Sequence, residues 1–358
     1  MTSPRSLLLV LLSIGLATPV AAWSNDSEQP GSVLVFPKFI RGTGNDLGVS
    51  GQAVHAITEI EISVRCPDGA TCQPRQDVRL RGHWVCPGSS ATTECAETSF
   101  DLTTTVDGSL YFNPEGVTVI GGVVTASVFP SNATTTIPSP PCNRGYLIVW
   151  AIDGNNTAIK FDGLIGDAII RAPTPVFGPT TARAYNAIAI QAGDGVGNTG
   201  DPTDLNGDGN LDFDGSEYQA ITGRIFGTVR YENAGATEGV VETDITLLTL
   251  DVASNRPNSL TSVGLNFYTT GEDLVDTATS FYCWKEQRLI DINPSFTEQR
   301  MGRKGLVESY FAEQNSAPVT LLGLIETQEG YSGFGLPGRS YSYLLYHDGN
   351  PVVTTFKP

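Results

Sequence analysis

The sequence predicts an all-β protein, built as two β-sandwich domains joined by a Gly/Asp-rich connector, with one short helix in the second half. Three observations predict it. Ala56 to Val64 alternates, with Ala56, Thr58, Ile60, Ile62 and Val64 on one face and Glu59, Glu61 and Ser63 on the other, which is the period of a half-buried strand. Glycine (39) and proline (22) recur between short runs rich in Thr and Val, as strands joined by turns require. Only 16% of the 358 residues are charged while 40% are hydrophobic, enough to fill a core and to exclude disorder as the cause of the acidity.

The N-terminus predicts export. Arg5 supplies a positive start, Leu7 to Leu16 an apolar run too short to span a bilayer, and Val20-Ala21-Ala22 a small-residue cleavage site before Trp23. Residues 1–22 therefore read as a signal peptide, and no later segment is apolar enough to cross a membrane. The expected destination is secretion or the cell surface, with the periplasm as a variant. The remainder divides into an N-terminal sandwich over 23–192, an acidic connector over 193–222 and a C-terminal sandwich over 223–358.

Further strands are expected over Phe100 to Val106, Leu110 to Phe112 and Val117 to Phe129. Tyr146 to Ile152, the turn Asp153-Gly154-Asn155-Asn156 and Thr157 to Phe161 read as a hairpin. Tyr185 to Ala192 closes this half. Strands resume at Arg224 to Tyr231, Val240 to Val252, Thr261 to Tyr268 and Ala278 to Lys285. The helix is expected over Gly302 to Ala312, where Leu306, Val307, Tyr310 and Phe311 fall at helical spacing. Y-L-I-V-W-A-I-D-G-N-N from Tyr146 is echoed by Y-L-L-Y-H-D-G-N from Tyr343, which reads either as a duplicated domain or as two similar hairpin turns.

Export favours disulfides for Cys66, Cys72, Cys86, Cys95, Cys142 and Cys283. Two close spacings suggest loop staples, Cys66 with Cys72 and Cys86 with Cys95. Cys142 and Cys283 are left either to bridge the halves or to stay as buried thiols. The formal net charge of −17, made more negative by loss of Arg5, repels phosphate backbones and argues against nucleic acid as a partner.

One stretch has spacing that implies a defined chemistry. In D-L-N-G-D-G-N-L-D, Asp204, Asn206 and Asp208 alternate as oxygen donors, Gly209 permits a sharp turn, Asn210 offers a backbone carbonyl and Asp212 stands at the ninth position. The loop resembles the calcium loops of EF-hands, dockerins and thrombospondin type 3 repeats. The resemblance implies bound Ca²⁺ and covers about a dozen residues. It departs at the twelfth position, where Gly215 replaces a bidentate carboxylate, with Asp214 one residue early and Glu217 two residues late. Helix breakers over 193–203 exclude the preceding helix of a sensor. A structural Ca²⁺ clip, a metal-free Asx/Gly turn and a Ca²⁺ that touches a ligand are the three readings.

The order of V-L-V-F-P-K-F, cysteines after a long strand, and G-Y-L-I-V-W-A-I-D-G resembles exported bacterial β-rich proteins that carry no assigned activity. That resemblance implies a fold and no catalytic residue. Enzyme motifs are missing: there is no G-x-S-x-G or H-E-x-x-H, and only His55, His83 and His347 are available as bases. Glu59-Ile60-Glu61-Ile62-Ser63 resembles the E-I-D-I-E strand of laminarinase-like jelly-roll glycosidases. Ser63 stands where the general acid is needed, so the pair is broken. The expected function is non-catalytic: a structural or surface-interaction protein with an extracellular protein or glycan as partner, or self-assembly. The alternative is a carbohydrate-binding adhesin using Trp84, Trp150, Trp284 or some of the 12 Tyr as platforms. Asn25, Asn132 and Asn155 head N-x-S/T sequons that matter only in a glycosylating host.

Overall fold

The structure is a computed structural model that describes residues 29–47, 53–73, 75–88, 95–115, 122–172, 181–193, 200–233, 240–253, 259–330 and 339–358. The expected signal peptide and Asn25 lie outside these residues. The first half contains β1 (Val33–Ile40), β2 (Thr43–Leu47), β3 (Ala53–His55), β4 (Ile57–Val64), β5 (Asp77–Val85), β6 (Glu97–Thr105) and β7 (Gly108–Phe112). It continues through β8 (Val123–Phe129), β9 (Ala133–Pro138), β10 (Arg144–Ile152), β11 (Leu164–Ala172), β12 (Thr181–Asn186) and β13 (Ile188–Ile190). After β14 (Leu211–Phe213) come β15 (Ile221–Arg230), β16 (Val240–Leu248), β17 (Val252–Ala253), β18 (Thr261–Tyr268), β19 (Leu274–Phe281) and β20 (Trp284–Arg288). Two one-turn helices, α1 (Leu289–Ile292) and α2 (Glu298–Met301), precede β21 (Lys304–Gln314), β22 (Ala317–Pro318), β23 (Leu322–Gly330), β24 (Arg339–Leu344), β25 (Tyr346–Val352) and β26 (Thr354–Lys357). The all-β class expected from the sequence is the observed one.

In the first half, a sheet ordered β13-β1-β10-β5-β6 packs on one ordered β12-β11-β4-β7-β8-β9. Between them lies a core of Leu34, Phe36, Ile60, Ile62, Trp84, Leu147 and their neighbours. β4 follows the alternation read from the sequence, with Thr58, Ile60, Ile62 and Val64 buried and Glu61 exposed. In the second half, an outer sheet ordered β19-β18-β21-β15-β25 covers an inner sheet ordered β20-β16-β23-β24. Ile225, Leu247, Phe267, Phe296 and Ile325 lie in the core between them.

β1 is buried along its whole length because its other face also carries a core. Val33, Val35, Ile148 and Trp150 pack there against Leu211, Phe213, Leu250, Trp284 and Phe356. The acidic segment thus contributes β14, which pairs with β26 and joins a small sheet of β14, β26 and β17.

Four local expectations are corrected. Residues 304–312 form strand, not the helix expected over 302–312: β21 pairs with β18 and β15. The apparent helical spacing comes from a β-bulge, which opposes Gly264 to Phe311 but Leu265 to Ser309 and so resets the alternation midway. Gly264 is required there, since a Cβ would lie 2.4 Å from the rings of both Tyr310 and Phe311.

Cys86 and Cys95 do not pair with each other. Cys86 joins Cys142 and Cys95 joins Cys283, while Cys66–Cys72 is as expected. The reason is alternation along the β5–β6 hairpin: Cys142 packs on the core beneath one face and Cys95 belongs to the core on the other, so the two thiols point apart. Cys283, with φ 61°, breaks the expected strand 278–285 into β19 and β20. The hairpin expected after Tyr146 reduces to a turn closed by one bridge, Ile152 to Ala158. Its echo differs, because D-G-N at 348–350 lies within β25.

Candidate functional site

The acidic loop curls around its own side chains. Asp204 Oδ1 accepts the N–H groups of Gly207 and Asp208 at 2.6 and 3.1 Å, and its Oδ2 that of Gly209 at 2.9 Å. Asn206 Oδ1 accepts from Asp208 N–H and Asp208 Oδ1 from Asn210 N–H, both at 2.9 Å. Gly207 and Gly209 take φ of 77° and 78°, the left-handed conformation that lets the chain turn this tightly. Asp212 accepts from Asn206 Nδ2 at 2.9 Å and from the Thr355 hydroxyl at 2.6 Å, fastening the loop to β26.

Glu217, which sequence reasoning set two residues late for a ligand, has another task. It is 2% exposed, and its two carboxylate oxygens accept the N–H groups of Leu205 and Asp212 at 2.8 and 3.3 Å. Burial raises its pKa against these donors. The donor set of Asp204, Asn206, Asp208, Asn210 and Asp212 is all oxygen and suits a hard cation. Among the described residues, however, no three His, Cys, Asp or Glu side chains converge as a metal group. The loop is held by its own hydrogen bonds, and an ion would be an added clamp.

The glutamate strand lies on the outward face of its sheet. Glu59 Oε2 accepts from Arg171 Nε at 2.7 Å, and Glu61 stands opposite Asp167 across the β4–β11 register. Burial, and then the charge of Glu61, raises the pKa of Asp167. Ser63 faces Ile165. Glu59 is therefore paired with Arg171, and the residue in register with Glu61 is a carboxylate of the neighbouring strand.

His83 is a core residue. Its Nδ1 lies 3.1 Å from Glu97 Oε2 and its ring stacks on Trp150 at 4.9 Å. His55 lies in β3 and His347 in β25. Trp84, Trp150 and Trp284 are all buried; Trp84 donates to the Pro138 carbonyl at 3.0 Å and Trp284 to that of Pro37 at 2.7 Å. None of the three is a platform for a sugar.

Sequence reasoning missed a buried ion network. Lys38 on β1 donates to Glu286 on β20 and to Glu326 on β23. Arg183 on β12 donates to the second oxygen of Glu326 at 2.7 Å, and Arg144 on β10 pairs with Glu286. Lys38, Arg183 and Glu326 have side chains at most 1% exposed. Burial alone would raise the pKa of Glu326, but the ammonium of Lys38 and the guanidinium of Arg183 outweigh it and hold the carboxyl down at about 2. The signal was present in V-L-V-F-P-K-F: a lysine inside an otherwise apolar run must find an anion when buried.

The outward face of the outer sheet was also missed, because part of it read as helix. Phe226 (41%), Leu274 (53%), Leu306 (51%) and Tyr310 (38%) are exposed on it. Register places Leu274, Tyr268 and Leu306 side by side across three strands. Tyr268 donates its hydroxyl to Glu308 at 2.6 Å, and Asn266 donates to the same oxygen at 3.2 Å. Beside them runs a shallow groove of about 700 Å³ bounded by Arg224, Tyr310, Phe311, Glu313 and Pro351. No helix among the described residues is long and apolar enough to cross a membrane. Compared with known proteins, the chain matches no protein-family model and no curated protein.

Proposed function

We propose that this is an exported, non-catalytic structural or surface-interaction protein that works by presenting a rigid β-surface outside the cytoplasm. The observation that carries the reading is the outward face of the outer sheet, where Phe226, Leu274, Leu306 and Tyr310 stand exposed together. Scattered apolar residues need no explanation, but a cluster on one sheet face is the usual mark of an interaction surface. Three disulfides and the buried network around Lys38 support a body stiff enough to hold that face in shape.

The test compares wild type with Leu306→Lys and Phe226→Ser in secreted form. Cell-surface or matrix association that falls at least several-fold in both variants, at unchanged melting temperature, supports the reading. Release of reducing ends from a β-glucan, lost in Glu59→Gln, sinks it in favour of a hydrolase.

A carbohydrate-binding role is the second reading, favoured by the groove where Tyr310 offers a ring face and Arg224 and Glu313 offer hydrogen bonds. Binding on a glycan array that disappears in Tyr310→Ala selects it. In either case Ca²⁺ at Asp204, Asn206, Asp208, Asn210 and Asp212 is proposed as a structural clamp on the segment that carries β14.

A further inference from the structure

The chain turns back sharply between β19 and β20. Cys283 takes φ 61° and Trp284 N–H donates to the Tyr282 carbonyl at 2.7 Å, so Lys285 comes back over the end of β19. Its Nζ donates to the Thr279 hydroxyl at 2.7 Å and to the Ser280 carbonyl at 3.3 Å. The turn borders an open cleft of about 410 Å³, a size suited to a small molecule, with Pro87, Leu260, Phe281, Tyr282 and Trp284 as apolar walls and Lys285 in its lining. The Cys95–Cys283 bond ties the turn to the first half, which supplies Pro87, so both halves build the cleft.

Among the described residues, no carboxylate pairs with Lys285; its two partners are a hydroxyl and a carbonyl. Glu286 also lines the cleft, but it accepts from Lys38 and Arg144. Burial lowers the pKa of Lys285, so more of its amine is the free base at a given pH, the form that attacks a carbonyl carbon. Glu286 in the wall and a formal net charge of −17 disfavour an anionic ligand. We propose that this cleft takes a small uncharged aldehyde with an apolar body, which Lys285 captures as an imine. The nitrogen lone pair adds to the carbonyl carbon, the two nitrogen-bound hydrogens pass to the oxygen, and the oxygen leaves as water with a C=N bond in its place. No oxidant or reductant is consumed. The capture goes beyond the surface-interaction reading above and does not depend on it.

In the test, the full secreted chain is incubated with benzaldehyde, the imine is trapped with cyanoborohydride, and the adduct is mapped by peptide mass spectrometry over the five lysines. Lys285 is expected to label at least about 10-fold faster than the exposed Lys304 and Lys357, because the cleft holds the aldehyde beside its amine. An excess of benzyl alcohol, which has the same apolar body and no carbonyl, should slow Lys285 several-fold and leave Lys304 unchanged. Leu260→Glu, at a position 44% exposed, puts a charge on the apolar wall and should also slow Lys285, at unchanged melting temperature. Equal labelling of Lys285, Lys304 and Lys357 overturns the proposal. So does a preference for Lys285 that is no larger with benzaldehyde than with formaldehyde, which would mark a reactive amine without a site around it.

Discussion

Lys38 and Glu326 lie 288 positions apart in the chain, yet the ammonium of the first donates to the carboxylate of the second in a fully buried contact between the two halves. Arg183 approaches the same carboxylate from β12, and Trp284 donates to the carbonyl beside Lys38. The contact adds a buried ionic link between halves that also share an apolar core and the Cys95–Cys283 bond.

Removing one partner leaves the others charged in a place water does not reach. Glu326→Ala is expected to destabilise the fold by about 3–5 kcal/mol, the range for breaking a buried ion pair, as measured by denaturant unfolding. Lys38→Met combined with Glu326→Leu should recover part of that loss, because it removes the desolvation penalty of the ammonium together with that of the carboxylate, leaving Arg183 as the charge that has lost its Glu326 partner. A double variant no better than Glu326→Ala would contradict the network's role.

The same residue sets an acid dependence. The Glu326 pKa lies at about 2 in the folded chain against an ordinary value of 4.5, so its contribution is complete above about pH 4.5 and is lost as pH falls toward 2. Asp167 and Glu217, whose pKa values burial raises, act in the opposite sense, holding protons more tightly when folded. Melting temperature measured against pH should fall through this window in wild type, and less steeply in Glu326→Gln.

Cys95 and Cys283 enclose a loop of 188 residues, so their bond restricts the unfolded chain more than the other two. On the chain-entropy argument, Cys95→Ser with Cys283→Ser should cost about 5 kcal/mol. Replacing Cys66 and Cys72, separated by 6 residues, should cost distinctly less. Non-reducing peptide mapping should find Cys86 linked to Cys142; a Cys86–Cys95 peptide would refute the observed pairing.

For the acidic loop, Ca²⁺ is expected to raise the melting temperature and to protect 200–217 from proteases, with EDTA reversing both. Asp208→Ala should abolish the response while costing little stability in EDTA, since only one N–H bond to its carboxylate is lost. Identical melting of wild type and Asp208→Ala at millimolar Ca²⁺ would leave the loop a hydrogen-bonded turn.

Much of the fold was legible because β-structure is written at short range. Alternation placed the buried face of β4 correctly, and Asp153-Gly154-Asn155-Asn156 marked a turn that Asp153 closes by accepting from Asn155 and Thr157, both at 2.8 Å. The acidic loop was likewise readable, since the hydrogen bonds among 204–212 join residues two to six positions apart. β21 was misread because a bulge shifts the alternation by one residue, and a two-residue period with one insertion imitates a helix over a single short window.

The all-β class, the half-buried strand, the turn chemistry and the Cys66–Cys72 staple depend on neighbours along the chain and can be read from it directly. Which strands became edges, which partners Lys38 found, how Cys95 reached Cys283 and the inward turn of Trp84, Trp150 and Trp284 emerge only when the sheets pack. The physical reason is that those outcomes depend on sheet order and facing, and sheet order is set by the packing of residues far apart in sequence, where no local pattern records it.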